Sequence, residues 1–268
     1  KDKANMISLQ SLASSSSGNC AVYCGGGQVV LIDAGTNTKY IRGALAQLGL
    51  TLQDVTQILI THTHNDHIST LPVLTKHCRA TVWCSEQAWG LLLPHCNHSQ
   101  VETFAPERTF WLGSVAVTPF ATPHDSPGSC GFVLEEEEGK LAYCTDLGRM
   151  TPQIFDHLEG AEGLFLESNH DVYMLKNGEY PYHLKQRILS DQGHLSNDDA
   201  AQTVCALAGR GLRQVVLAHL SDHNNTPRCA LRETQDALQH MGALGAVEAS
   251  VAPRREPGAG LRLARHAG

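Results

Sequence analysis

The sequence predicts an α/β protein with two sheets packed face to face and helices on the outside. Three observations carry this expectation. Short apolar runs of strand character recur along the whole chain, segments with apolar residues at helical spacing separate them in both halves, and the stretch from about 101 to 145 turns mostly to strand. The 268 residues suffice for a sizeable core without disulfide staples, and 42% hydrophobic and 18% charged residues are ordinary for a globular enzyme.

Taken in order, "MISLQSL" and "VVLID" read as strands, with "GGG" at 25–27 as a tight turn between strands. Residues 37–48 form a helix stopped at Gly49. "QILITH" is a short buried strand, and "ISTLPVLTKH" a helix whose first turn follows Asp66-His67. "ATVWC" is a strand and "SEQAWGLLL" a helix capped by Ser85. "SVAVTPFATPH", "CGFVLEEEEG" and "KLAYCTD" are strands with Gly or Pro punctuation, and "EEEE" at 135–138 is a solvated hairpin tip. "TPQIFDHL" begins a helix with Thr151 as cap and Pro152 at its first position. "GLFLES" and "QVVLAH" are strands, "LSNDDAAQTVCALA" a helix capped by Ser196, and "TPRCALRETQDALQHM" the last long helix. The tail from 245 is Gly/Pro-rich, with a final strand at 260–264.

No linker or low-complexity segment divides the chain, so one domain is expected over 6–268, with Met6 as a natural start and 1–5 as a remnant ahead of it. The polar opening "KDKANM" lacks the apolar core of a secretory signal, and no apolar run approaches the roughly 20 residues that span a bilayer. Nine scattered cysteines, with no C-x-x-C pair, read as reduced thiols, most of them buried. A cytoplasmic protein without membrane partners is expected. The net charge of −7 counts against a nucleic-acid binder by bulk charge alone, although bound divalent ions and locally clustered cations offset it.

Several predicted strands end in a metal-ligand residue: Asp33, His62, His124, Asp146 and His219. Crevices at strand ends are where open α/β folds place their sites. The stretch "ITHTHNDHIS" adds His64, Asp66 and His67 directly after the strand that leads to His62. A lone histidine is more often structural, but this constellation predicts a metal site. Mixed imidazole and carboxylate suits zinc, manganese or iron. Two ions about 3.5–4 Å apart need a bridging oxygen ligand, which an aspartate supplies, and a water bridging them ionises near neutral pH to become a nucleophile.

In order, Asp33, the H-x-H-x-D-H run at His62/His64/Asp66/His67, His124, Asp146 and His219 resemble the motifs of the metallo-β-lactamase superfamily, over nearly the whole chain. The resemblance implies a four-layer αββα sandwich. It implies one metal on His62, His64 and His124, a second on Asp66, His67 and His219, Asp146 bridging them, and Asp33 orienting the H-x-H loop from behind. Secreted β-lactamases use a cysteine at the second metal, where this chain has none. Thioesterases of the glyoxalase II type share the whole ligand set. Di-iron oxidoreductases carry Glu where this chain has His64.

"LASSSSGNC", "FLESNHDVYML", "YPYHLKQRILSDQGHLSNDDAA" and "LAHLSDHNNTP" are similar to the YycJ/WalJ group, related to ribonuclease Z and the PhnP phosphodiesterases. That likeness implies a 5′ to 3′ DNA exonuclease working through a metal-bridging hydroxide. Ser15 departs from the group's usual Gly. Other readings are a thioesterase or lactonase, an RNA-processing nuclease, or a non-catalytic metal-binding protein. By the same likeness Asp66, Glu167 and His194 are the catalytic candidates, with Glu167 orienting His194 to protonate the departing alkoxide. The alternative is that His194 merely helps cap the following helix.

His170 and Asp171 are candidates for contacts behind the ligands or to substrate, or "SNHD" is a turn with side-chain-to-backbone bonds. The amides of Ser17, Gly18 and Asn19 are candidates for a phosphate oxygen, or the loop is a Ser/Gly connection. "YPYHLKQR" interleaves aromatics with cations, so Tyr182, Lys185 and Arg187 could stack on bases and hold phosphates, or form an amphipathic helix surface. His223 is a rival to His219 as ligand, but only His219 ends the apolar strand. His77, His95, His98, His157, His240 and His266 have no assigned role.

Overall fold

The computed structural model describes residues 6–96, 100–137, 139–258 and 260–264. The expected remnant 1–5 lies outside them, as do Glu138, His98 and His266. The first half contains β1 (Met6–Ala13), β2 (Cys20–Gly25), β3 (Gln28–Ile32), α1 (Thr38–Gln47), β4 (Gln57–Leu59), α2 (Asn65–Ile68), α3 (Leu71–Leu74), β5 (Thr81–Ser85), α4 (Trp89–Leu92) and β6 (Val101–Phe104). The second half contains β7 (Phe110–Leu112), β8 (Val115–Ala121), β9 (Cys130–Glu136), β10 (Gly139–Cys144), α5 (Pro152–Leu158), β11 (Gly163–Glu167), α6 (Val172–Asn177), α7 (Tyr182–Ile188), α8 (Asn197–Ala208), β12 (Gln214–Ala218), α9 (Pro227–His240), β13 (Glu248–Val251) and β14 (Gly260–Ala264).

Two seven-stranded sheets result, ordered β14-β1-β2-β3-β4-β5-β6 and β13-β12-β11-β10-β9-β8-β7. Each changes from antiparallel to parallel pairing partway across, at β3–β4 in one and β10–β11 in the other. The strands at these switches are apolar on both faces, as buried strands must be. In β3, Val30 and Ile32 enter a core shared with Leu141, Tyr143, Phe165 and Val216 of the other sheet. Leu31 instead packs with Ile41 and Leu45 of α1. In β12, Val215 and Leu217 pack with Ala200 and Val204 of α8 and Leu238 of α9. Three cores between four layers form the αββα sandwich.

Several local expectations need correction. The helix read from "ISTLPVLTKH" is two short ones, α2 and α3, and α2 takes in Asp66 and His67. Pro72 has no N–H to continue a helix from Ile68 and sits at the start of α3 instead. Ser85 ends β5 and its hydroxyl accepts from Ala88 N at 3.3 Å, so it closes a turn and α4 begins only at Trp89. Gly25 ends β2, leaving Gly26-Gly27 as the turn. Glu135 and Glu136 lie in β9, and Glu136 accepts from the Tyr23 hydroxyl, so only Glu137 of the described tip is in the turn.

Candidate metal centre

Chain direction at the strand ends builds the site. Asp33, Asp146 and His219 follow β3, β10 and β12 and have left-handed backbone, with φ of 62°, 59° and 55°. That conformation costs a non-glycine residue roughly 1–2 kcal/mol and persists where the surroundings over-determine it. His219 shows how. Its amide donates to Ser14 Oγ at 2.7 Å, and its carbonyl accepts from Asn169 Nδ2 at 2.8 Å. At Gly35, a Cβ would stand 1.5 Å from the Asp66 carbonyl oxygen, so only glycine lets the loop after β3 press against α2.

The side chains converge as two overlapping sets. Ligand atoms of His62, His64 and His124 lie within 4.8 Å of one another, as do those of Asp66, His67 and His219. Asp146 stands between the sets: Oδ2 is 3.5 Å from His67 Nε2, and Oδ1 is 3.9 Å from His124 Nε2.

The outer ring nitrogens are tied up in a way that turns the inner ones into the site. His67 Nδ1 donates to Asp33 Oδ2 at 2.8 Å, His124 Nδ1 to the Gly193 carbonyl at 3.1 Å, and His219 Nδ1 to Glu167 Oε1 at 2.8 Å. Thr61 Oγ1 donates to Asp33 Oδ2 at 2.9 Å and accepts from His62 Nδ1 at 3.0 Å. In the neutral form of the four rings, these bonds make Nε2 the inward atom with the lone pair. His64 is turned the other way: Nδ1 lies 3.3 Å from His124 Nε2, and Nε2 faces Asp125 Oδ1 at 3.4 Å. His62 Nε2, His219 Nε2 and Asp146 Oδ2 are buried without a hydrogen-bond partner among the described residues. Buried polar atoms are rarely left so.

The charge balance asks for cations too. Burial lowers the His67 pKa, but Asp146, Asp33 and Asp66 outweigh it and hold the ring up to about 9. At His219 burial is likewise outweighed, by Asp146, Asp66 and Glu167, and the pKa stands well above the histidine range. Burial and the neighbouring imidazoles push His62 well below it. The carboxylates thus draw protons onto rings that a metal would need neutral, and divalent ions would satisfy the same carboxylates and release those protons. The donor set, the unpartnered Nε2 atoms of His62 and His219 and the acidic surplus all fit divalent metal ions.

Glu167 joins two functions. Its Oε1 accepts from His194 Nδ1 and His219 Nδ1, both at 2.8 Å, and its Oε2 accepts from the amides of Leu147 and Leu195 at 3.1 and 3.0 Å. Burial raises its pKa, but His194 and His219 hold it well below the carboxylate range. His194 and His124 line a cavity of about 170 Å³ with Asp125, Tyr180, Arg187 and Ser16.

The remaining candidates are placed less centrally. Asp171 caps α6, accepting from Met174 N at 2.7 Å, which is the side-chain-to-backbone turn. His170 is 1% exposed, and neither ring nitrogen has a partner among the described residues. The amides of Ser17, Gly18 and Asn19 donate to Ser15 Oγ, the Ser15 carbonyl and the Asp66 carbonyl, so they are not free for a phosphate. Asn19 instead sets its Nδ2 3.3 Å from Asp66 Oδ2 and 3.0 Å from His67 Nε2. Lys185 is turned away, donating to the carbonyls of Lys176 and Gly178 at the end of α6. Arg187 donates to Asp125 Oδ2 at 2.6 Å, and Tyr182 is 77% exposed on the same helix. His223 is exposed, its ring 5.4 Å from that of Tyr180, and belongs to no ligand group. His77, His95, His157 and His240 also belong to none.

Sequence reasoning missed Thr61, Asp125, Ser14 and Asn169, which hold the ligands from behind. Asp125 and Thr61 adjoin ligands in sequence, and that adjacency was the available signal. Ser14 and His219 are 205 residues apart, and no local pattern pairs them.

A profile of the beta-lactamase superfamily domain matches residues 28–220. The chain is 34% identical over 224 residues to exodeoxyribonuclease WalJ of Streptococcus pneumoniae, covering 82% of this chain and 83% of that one. It is 33% identical over 234 residues to exodeoxyribonuclease YycJ of Bacillus anthracis, covering 86% and 89%. Among solved structures, the metallo-beta-lactamase fold protein YhfI from Bacillus subtilis superposes with a TM-score of 0.74 at 14% identity, over 96% of this chain and 99% of that one.

Proposed function

This chain belongs to the metallo-β-lactamase superfamily, and from that premise we propose that it is a metal-dependent phosphodiesterase acting as a DNA exonuclease. The observation that carries the reading is the Glu167 carboxylate shared at 2.8 Å by His194 and His219, which couples a proton-carrying ring at the cavity to a member of the ligand set. The relatives' names supply the substrate class.

His62, His64 and His124 would hold one divalent ion and Asp66, His67 and His219 a second, with Asp146 placed to touch both. When bound, such ions lower the pKa of water and neutralise phosphate oxygens. Asp33 and Thr61 keep His62 and His67 in the tautomers this needs. His194, its Nδ1–H held by Glu167, would act as the imidazolium, giving the Nε2 proton to the departing sugar oxygen and returning to the neutral ring. Tyr180 and Arg187 line the cavity over His194, and Tyr182, 77% exposed, stands on α7 with Arg187, a place for bases and phosphates of the strand. Cys20, Cys78, Cys84, Cys130, Cys144 and Cys205 are buried thiols, which suits a reducing, cytoplasmic setting, and no described helix is long and apolar enough to cross a membrane.

End-labelled single- and double-stranded DNA, the matching RNA, bis-p-nitrophenyl phosphate and a thioester, each tried with zinc, manganese and iron, test the reading. Stepwise loss from DNA ends is expected, abolished by His64→Ala and by Asp146→Ala in folded protein. Turnover of the thioester alone, or full activity in both variants, would refute it.

A further inference from the structure

The Ser14–Asn19 loop separates two cavities. Ser16 lines the one over His124 and His194, while Ser15, Ser17 and Gly18 line another of about 570 Å³ on the loop's far side. That second cavity runs between the loop, the start of α1 and the segment 254–255. It continues into a third of about 610 Å³, with which it shares Asn37, Lys39, Tyr40 and Arg255. Together they make one long groove that begins a single loop away from the metal centre.

Its chemistry departs from that of the rest of the chain. The net charge is −7, yet no carboxylate lines the part next to the loop. Lys39, Arg254 and Arg255 line it with hydroxyl side chains from the loop, α1 and the turn after α2. Glu256 enters only at the far end. The walls are fixed: the Tyr40 hydroxyl donates to the Leu12 carbonyl at 2.6 Å, Thr38 and Thr70 hydroxyls meet at 2.7 Å, and Ser14 N donates to the Arg254 carbonyl at 3.3 Å.

The three cations are not equivalent. Arg254 is committed to Asp222 at 3.1 Å and to the Ser221 carbonyl at 3.2 Å, close to the His219 turn. Lys39 and Arg255 are exposed and form no ion pair among the described residues. Exposed cations beside hydroxyls, in a groove with rigid walls, suit the repeated negative charge of a sugar-phosphate strand. The loop between groove and centre is the one whose Asn19 contacts Asp66 and His67, so a strand seated in the groove would have its position referred to the ligands.

We propose that this groove holds phosphates of the nucleic-acid strand that the metal centre cleaves, with Lys39 and Arg255 as the contacting cations. This rests on the phosphodiesterase reading and adds the path of the substrate. The test is Lys39→Ala/Arg255→Ala in the metal-loaded full chain, which leaves Arg254 and the His219 turn intact. Binding of a cleavage-resistant phosphorothioate duplex is measured across salt concentrations, with 5′-phosphate and 5′-hydroxyl ends, beside turnover of bis-p-nitrophenyl phosphate.

The expected result is binding about tenfold or more weaker near 0.15 M salt, and a log–log salt slope shallower by about 2. The loss on DNA should exceed any loss on the small diester by a similar factor. A loss confined to 5′-phosphorylated ends would identify the bound group as the terminal phosphate, and an equal loss on both ends as the backbone; either supports the groove. Wild-type affinity and slope in the variant would overturn it, as would equal losses on DNA and the small diester. A wild-type protein that neither binds nor cleaves DNA and does not turn over the small diester would instead remove the phosphodiesterase reading, and the groove with it.

Discussion

Replacing Glu167 by Gln separates an acidic hub from a mere filler of space. The carboxylate accepts four hydrogen bonds, two from His194 and His219 and two from the Leu147 and Leu195 amides. An amide of the same shape has only one acceptor oxygen. If that oxygen stays with the backbone amides, the NH2 faces both imidazoles. Each Nδ1 must then accept, and the ring proton moves to Nε2, the atom His219 needs free. If the amide turns, two buried N–H groups lose their acceptor. Each bond to a charged group contributes about 1.5–3 kcal/mol, so losing two costs roughly 3–6 kcal/mol of stability. Loss of a ligand's outer partner typically weakens metal affinity 10–100-fold. The expected outcome is a lower melting temperature, a second metal equivalent bound 10–100-fold more weakly in a chelator-competition titration, and greatly reduced DNA hydrolysis. Metal affinity and turnover equal to wild type in Glu167→Gln would refute the reasoning.

Two further perturbations probe other parts of the account. Asp125→Ala removes the carboxylate that faces His64 Nε2 at 3.4 Å and is itself held by Arg187, so the first metal equivalent should bind about 10–100-fold more weakly; unchanged affinity in the same titration would contradict that role. Burial holds the His170 pKa down to about 4 from 6.5, so between those values the unfolded chain takes up a proton the folded one refuses. Stability attributable to this ring is therefore intact above about pH 6.5 and falls by about 3 kcal/mol as pH drops to 4. His170→Leu should flatten that part of a denaturation-versus-pH curve, and a curve parallel to wild type would count against it.

Much of the ligand set was legible because it follows strand periodicity. "VVLID" and "QVVLAH" each announce a buried strand followed at once by an acid or imidazole, "QILITH" one followed by His62 three residues past its end at Leu59, and the sheets deliver those residues to one rim. The αββα layering was legible for the same reason. What lay beyond the sequence depends on contacts through space. Glu167 was read as a partner of His194 alone, and its equal bond to His219 joins β11 to the turn after β12. The phosphate reading of Ser17, Gly18 and Asn19 counted amides without knowing that the loop and Asp66 already engage them. Lys185 looked available in "YPYHLKQR", but α7 runs beside the end of α6 and its carbonyls claim the ammonium. The edge strand β13, half-exposed and without clear alternation, left no strand signal in "EASV".

The most direct test of the proposed two-ion centre is a crystal structure of manganese- or zinc-loaded protein with anomalous scattering at the metal edge. The account predicts two peaks, one among His62, His64 and His124 and one among Asp66, His67 and His219, with Asp146 in contact with both. A single peak, or peaks that Asp146 does not touch, would contradict it.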